Sequence, residues 1–316
     1  MENNRKKVVN ISVVIPLYNK ENYIGRTIAS LLNQTYHDYE VVVVDDGSSD
    51  DSVAIVQSFS SDKIRLIQKE NGGPSSARNK GIQEAQGQWI VLLDADDILL
   101  PHALTCFANI QQSHPYCKYF VGNFYNMYSN QDIQLGSYRK IDKILKNGFY
   151  YEATRELTET SGTAMFEKSL LLEEPFNESL YRYEDAERQY RLMRKYKIYM
   201  FSTPVAIVDR SAACASRPRK RIEEDFIGSL VFHNKSFWEQ MSLYLLALEC
   251  KSSYPDDAER LYGKIYSRWD LRIVLKWVNK RQKLCHKYFR HASKQKIYTL
   301  EELLNIPCKV NITTEE

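Results

Sequence analysis

Over roughly the first hundred residues, short apolar runs with strand character alternate with stretches whose apolar positions repeat at helical spacing. Ser12–Pro16, Glu40–Asp45, Lys63–Gln68 and Trp89–Asp94 are the predicted strands. Between the first two, Tyr23–Gln34 sets Ile24, Ile28, Leu31 and Leu32 at the spacing of a helix, and Pro74 marks the start of another that runs to about Gln86. This alternation argues for parallel strands joined by crossover helices. Val41–Val44 is apolar at every position, as in a central strand buried on both faces, and it runs directly into Asp45-Asp46-Gly47-Ser48. Ligands of open α/β sheets bind beyond the carboxyl ends of the strands, so acids at those ends lie where a site belongs.

From Cys117 to Arg210 the pattern is mixed, with a strand at Tyr119–Phe124, the segment Ser161–Phe166 and a helix over Glu184–Tyr196. This stretch is expected to complete the same sheet. Beyond Arg217-Pro218-Arg219-Lys220-Arg221 the sequence turns mostly helical and rich in aromatics. The chain therefore divides near residue 215, with a further division of the first part into 1–116 and 117–215, and a helical extension over 216–316. No internal repeat or low-complexity tract interrupts it.

The 316 residues are 43% hydrophobic, enough for a sizeable core. The net charge of +3 hides an asymmetry: residues 211–316 carry +6 and the remainder −3. A basic tail on an acidic body suits an anionic partner such as phospholipid, a lipid phosphate or nucleic acid, with a solvated charged face as the plain alternative. Six cysteines without a CxxC pair, and six histidines without HxxxH spacing, argue against a zinc site. No signal-peptide pattern opens the chain and no apolar run nears the ~20 residues of a membrane span, so a cytoplasmic protein is expected.

Four motifs carry candidate chemistry. Ser12–Asn19 ends a strand with Pro16, Tyr18 and Asn19 over the sheet edge. In Asp45-Asp46-Gly47-Ser48-Ser49-Asp50 the glycine permits a tight turn, and Ser48, Ser49 or Asp50 can cap the next helix. Asn71-Gly72-Gly73-Pro74 leads to Arg78 in the early turns of a helix, an arrangement that favours phosphate, yet it is neither GxGxxG nor GxxxxGK[ST]. Asp94-Ala95-Asp96-Asp97 crowds three carboxylates at a strand end. Like charges so close call for a cation, and oxygen ligands suit Mg2+ or Mn2+ shared with a diphosphate.

In this order and spacing the motifs closely resemble those of the family 2 glycosyltransferases, over roughly residues 10–210. The resemblance implies the glycosyltransferase A fold: an α/β, Rossmann-like mixed sheet that binds nucleotide-sugar, flanked by helices, here with a mostly helical C-terminal extension. Residues 1–116 would be the nucleotide-binding half and 117–215 the acceptor half. Pro16, Tyr18, Asp45 and Asp46 would surround the base, with Asn19 and Asn71 beside them. Arg78 would meet base or diphosphate, Asp94 the ribose and Asp96 the metal. Tyr183-Glu184-Asp185, at a helix start, matches the pair in which the family carries its catalytic base, assigned to Asp185 with Glu184 as the second choice. The implied activity is metal-dependent (Mn2+ or Mg2+), inverting transfer from a UDP-sugar to a glycan or lipid-linked sugar acceptor, without nucleic acid as a partner. Many relatives carry a late His that reaches the metal or diphosphate. Here Ile207–Ser216 has none, leaving Arg210 or Arg217 to assist.

An Asp-x-Asp after an apolar strand also marks haloacid-dehalogenase phosphatases, but that motif wants a Thr or Val shortly after the second Asp and leaves the other motifs unexplained. A catalytically silent nucleotide-sugar binder is the third reading. In the tail, Leu261, Ile265, Trp269, Ile273 and Trp277 recur every fourth residue beside Arg268, Arg272, Lys276 and Lys280. On one helix these form adjoining apolar and basic stripes that either lie at the inner membrane face or pack on the catalytic domain or a second subunit.

Overall fold

A computed structural model of the chain describes residues 10–128, 132–136, 141–211, 222–292 and 300–304. The first half alternates as the pattern predicts: β1 (Ile11–Leu17), α1 (Ile24–Leu32), β2 (Tyr39–Asp45), α2 (Ser52–Ser58), β3 (Ile64–Gln68), α3 (Gly73–Glu84) and β4 (Trp89–Leu92). Next come β5 (Ile98–Leu99), α4 (Ala103–Ser113), β6 (Tyr119–Met127), β7 (Ile133–Leu135), β8 (Lys143–Ile144), α5 (Gly148–Ala153), β9 (Ala164–Glu167), α6 (Lys168–Glu173), α7 (Glu184–Lys195) and β10 (Tyr199–Asp209). The helices α8 (Phe237–Ser253), α9 (Pro255–Tyr266), α10 (Trp269–Ala292) and α11 (Leu300–Leu304) follow.

Among the described residues the strands form one mixed sheet of ten in the order β3-β2-β1-β4-β9-β6-β10-β5, with β7 on β6 and β8 on β10. The pairs β1·β2, β1·β4 and β2·β3 are parallel, while β9 enters antiparallel between β4 and β6. Thus both halves of the sequence share one sheet, the mixed, helix-flanked architecture of the glycosyltransferase A fold. Strand periodicity of two divides the core. Val14, Val42, Val44, Ile90 and Phe166 face one cluster, and Val13, Ile15, Val41, Val43 and Val91 face the other. Helix α3 lies so close to the sheet that a Cβ on Gly81 would stand 2.3 Å from Val14 Cγ1.

The C-terminal helices join the first of these clusters through Met241, Leu243, Tyr254, Tyr262 and Leu271. The single striped tail helix expected from the sequence is two helices here. Tyr262 leaves helical geometry (φ −124°, ψ 15°), and the Ser267 hydroxyl donates back to the Lys264 carbonyl at 2.7 Å, which competes with helix continuation. The apolar stripe divides with the helices: Ile265 is partly buried against the first cluster, whereas Trp269 is 73% and Ile273 57% exposed, while Leu271 and Val278 are buried. Among the described residues no helix is long and apolar enough to cross a membrane. Cys106, Cys117 and Cys250 are buried, and burial pushes the Cys117 thiol up to about 11.

Candidate active site

The carboxyl ends of β1, β2 and β4 converge, and their loops are held together by polar contacts. Asn19 adopts a left-handed backbone (φ 50°); its amide donates to Ser48 Oγ at 3.1 Å, and its side-chain oxygen accepts from the Ser49 amide at 2.8 Å. Pro16 is partly buried and Tyr18 is 49% exposed at this edge. Asp45, buried at the end of β2, accepts from the Ser48 amide at 3.1 Å. Asp46 is buried and spends its two oxygens on Lys69 Nζ (2.7 Å) and the amides of Gly72 (2.9 Å) and Gly73 (2.7 Å). It thereby fixes the glycine-rich loop, with Asn71 exposed at its tip. Gly47 (φ 80°) permits this approach, since a Cβ there would meet the Asn71 amide at 3.3 Å.

Arg78, one turn into α3, links two distant motifs. Its guanidinium donates to Asp94 Oδ1 at 2.9 Å and to Glu184 Oε1 at 3.2 Å, and lies over the Phe176 ring. Burial opposes its charge, but Asp94 and Glu184 outweigh that and raise its pKa. Neighbouring Asn79 donates to the Phe176 carbonyl (2.9 Å) and Glu178 (2.8 Å) and accepts from the Phe176 amide (2.9 Å), pinning the segment before α7. Tyr183 is left-handed (φ 61°) just before α7. Glu184 is buried on the arginine, whereas Asp185 is exposed, accepting the Ala186 amide at 2.8 Å. Deeper in α7, buried Arg188 pairs with Glu159 at 2.6 Å between the rings of Phe166 and Phe176.

Asp94 and Asp96 lie in the turn beyond β4, where Ser161 Oγ accepts from the Asp94 amide at 2.5 Å. Lys20 Nζ contacts Asp96 Oδ2 at 2.5 Å. Arg26 donates to the Asp96 carbonyl at 2.6 Å and to the Asp209 carboxylate. The buried Asp97 carboxylate accepts the Asp209 amide at 2.8 Å. Burial, with Asp94 beside them, pushes both Asp96 and Asp97 above the usual carboxylate range. Among the described residues no three His, Cys, Asp or Glu side chains converge as a metal cage. The donor set nonetheless suits a hard divalent ion at Asp96, because that carboxylate is an oxygen ligand already drawn to a cation, and such ions complete their shell from phosphates and water.

Sequence reading missed Lys20, Arg26, Asn79 and Asp209. The polar run after Asn19 gave a weak hint of Lys20, but Asp209 comes to the cluster only through sheet closure. Arg210 donates to Asn126 Oδ1 at 2.8 Å, and Arg217 lies outside the described residues.

The glycosyl transferase family 2 model matches residues 12–180. Glycosyltransferase GlyG of Streptococcus pneumoniae is 37% identical over 120 residues, 37% of this chain and 39% of that protein. The Campylobacter jejuni GalNAc(5)-diNAcBac-PP-undecaprenol beta-1,3-glucosyltransferase is 30% identical over 208 residues, 60% of this chain and 64% of that protein. Crystal structures of Staphylococcus aureus TarS are similar in fold. The complex with UDP superposes with a TM-score of 0.58 at 21% identity, covering 77% of this chain and 66% of that one. In each case the match spans less than two thirds of the other protein.

Proposed function

Because the chain belongs to glycosyl transferase family 2, we propose that it moves a sugar, with inversion, from a UDP-sugar to a hydroxyl of a glycan or lipid-linked sugar acceptor. The observation that carries this reading is the Arg78 bridge. One guanidinium ties Asp94, in the loop assigned to the nucleotide, to Glu184, and the next residue is an exposed carboxylate. Family membership displaces the phosphatase alternative. The UDP donor is supported by the TarS complexes with UDP and UDP-GlcNAc, and the lipid-linked acceptor by the name of the Campylobacter relative.

In this account Pro16, Tyr18, Asn19, Asp45 and Asn71 border the base, Asp46 shapes the loop beneath it, and Asp94 meets the ribose. Asp185 takes the acceptor proton while the acceptor oxygen bonds to the anomeric carbon. The bond from that carbon to the diphosphate oxygen breaks, its electron pair leaves with UDP, and attack from the opposite face inverts the configuration. Glu184, held by Arg78, is the orienting partner and not the base. Arg78, kept protonated, lies where it can offset charge on the leaving diphosphate. Mn2+ or Mg2+ held through Asp96 would supply further neutralisation of that charge. The test is UDP release from a panel of nucleotide sugars with and without EDTA. UDP-sugar hydrolysis or transfer that EDTA abolishes supports the account, and undiminished turnover in EDTA removes the metal from it.

A lipid-linked acceptor gives a reason for the outer face of α10. Arg272, Ile273, Lys276, Trp277 and Lys280 are all exposed there beside Trp269, and Asp270, the acid in the first turn of α10, is paired with Arg268 at 2.6 Å. Cations with Trp at the headgroup level match the charge of an anionic bilayer. Co-sedimentation with phosphatidylglycerol vesicles, weakened by salt and lost on replacing Arg272, Lys276 and Lys280 with Glu, is the expected result. Equal recovery of wild type and variant in the supernatant at low salt removes the membrane from the reading.

A further inference from the structure

We propose that Lys20 is an internal counter-cation that occupies the Asp96 carboxylate until a metal ion arrives with the nucleotide, so that metal and nucleotide bind cooperatively. The inference rests on the assignment of Asp96 as the metal-binding carboxylate. Lys20 follows the β1 loop, where its backbone amide donates to Ser52 Oγ at 2.7 Å, so its Cα is fixed by the next crossover. From there its side chain crosses to Asp96, 76 positions away in sequence, and ends 2.5 Å from Oδ2. Both partners are largely withdrawn from water, at 25% and 17% side-chain exposure. Such a contact is less screened than a surface ion pair, and an ion that binds Asp96 must displace it.

The same crowding explains the need. Asp94, Asp96, Asp97 and Asp209 share a small region, and each of three has a cationic partner there: Arg78 for Asp94, Lys20 for Asp96 and Arg26 for Asp209. Arg78 and Arg26 have second anchors, on Glu184 and on the Asp96 carbonyl. Lys20, whose ammonium also lies 5.4 Å from the centroid of the Tyr23 ring, sits on a flexible stem and is the one of the three whose side chain meets the carboxylate proposed to hold the metal. A diphosphate brings oxygen ligands for the metal and a new anionic partner for the displaced ammonium. Metal alone brings neither, so wild-type protein binds it weakly until UDP is present.

The probe is Mn2+, followed by loss of the free-ion electron paramagnetic resonance signal, with and without UDP. Lys20→Met should bind Mn2+ alone at least ~10-fold more tightly than wild type, the factor that about 1.4 kcal/mol of lost competition represents. The enhancement by UDP should shrink correspondingly. Lys20→Arg, which keeps a cation, should stay near wild type, and thermal melts check that the variants fold. If wild type binds Mn2+ with UDP but Lys20→Met binds Mn2+ alone no more tightly, the role of Lys20 is overturned while the metal site stands. If no protein binds Mn2+ even with UDP, the Asp96 assignment falls and the inference with it.

Discussion

Replacing Arg78 by Met keeps an apolar stem over Phe176 and removes the charge that joins α3 to α7. The guanidinium side chain is 13% exposed, Glu184 9% and Asp94 41%. Breaking a buried ion pair from one side costs about 3–5 kcal/mol, because the remaining charge stays buried without compensation. A half-exposed contact such as that to Asp94 is worth only about 0–1 kcal/mol. Glu184 therefore sets the magnitude, and Arg78→Met should lose roughly 3 kcal/mol of stability, the lower end of the buried range because water reaches this edge of the site. Removing the Glu184 charge as well, in Arg78→Met/Glu184→Gln, should recover at least ~1 kcal/mol. Urea unfolding at pH 7 measures both, with the slope checked for constancy so that midpoint shifts report stability. A loss below ~1 kcal/mol in the single variant, or no recovery in the double, would refute the claim that this bridge holds the two motifs together.

Asp185→Asn should keep UDP affinity and lose about 10²–10⁴-fold in transfer rate, since an amide cannot accept the proton; near-normal turnover would move the base, first to Glu184. Asp96→Ala should lose Mn2+ binding by calorimetry in the presence of UDP and behave in activity assays like EDTA-treated wild type, whereas full metal affinity in this variant would place the ion elsewhere. Cys117, buried and pushed up to about 11, is almost entirely thiol at pH 8 and should resist iodoacetamide in the folded protein yet react in urea. Mass spectrometry locates the label, and native modification of Cys117 would contradict its burial.

The sheet was legible because its signals are local. Val41–Val44 announces a strand covered on both faces, and Pro74 after two glycines announces a helix start. β4 ends at Leu92, short of the expected Asp94, because the acids turn away from the sheet, with the Asp97 amide closing on the Asp94 carbonyl at 3.2 Å. The Glu-Asp pair was visible, but which of its members faces solvent was not, since that depends on Arg78 more than a hundred residues earlier. Arg26 and Asp209 are separated by 183 positions and meet only when β10 joins the sheet. The tail misled for the opposite reason. The four-residue apolar period runs unbroken through Ile265, Trp269 and Ile273, so nothing in the spacing marks the break that Ser267 makes between α9 and α10.

The most direct test of the central claim is the anomeric configuration of the product, followed by proton NMR with Mn2+, an α-linked UDP-sugar donor and a hydroxyl acceptor. Direct displacement with Asp185 as base predicts a β-linked product, UDP formed one for one with it, and loss of both in Asp185→Asn. An α-linked product, or undiminished β-linked product from Asp185→Asn, would contradict the account.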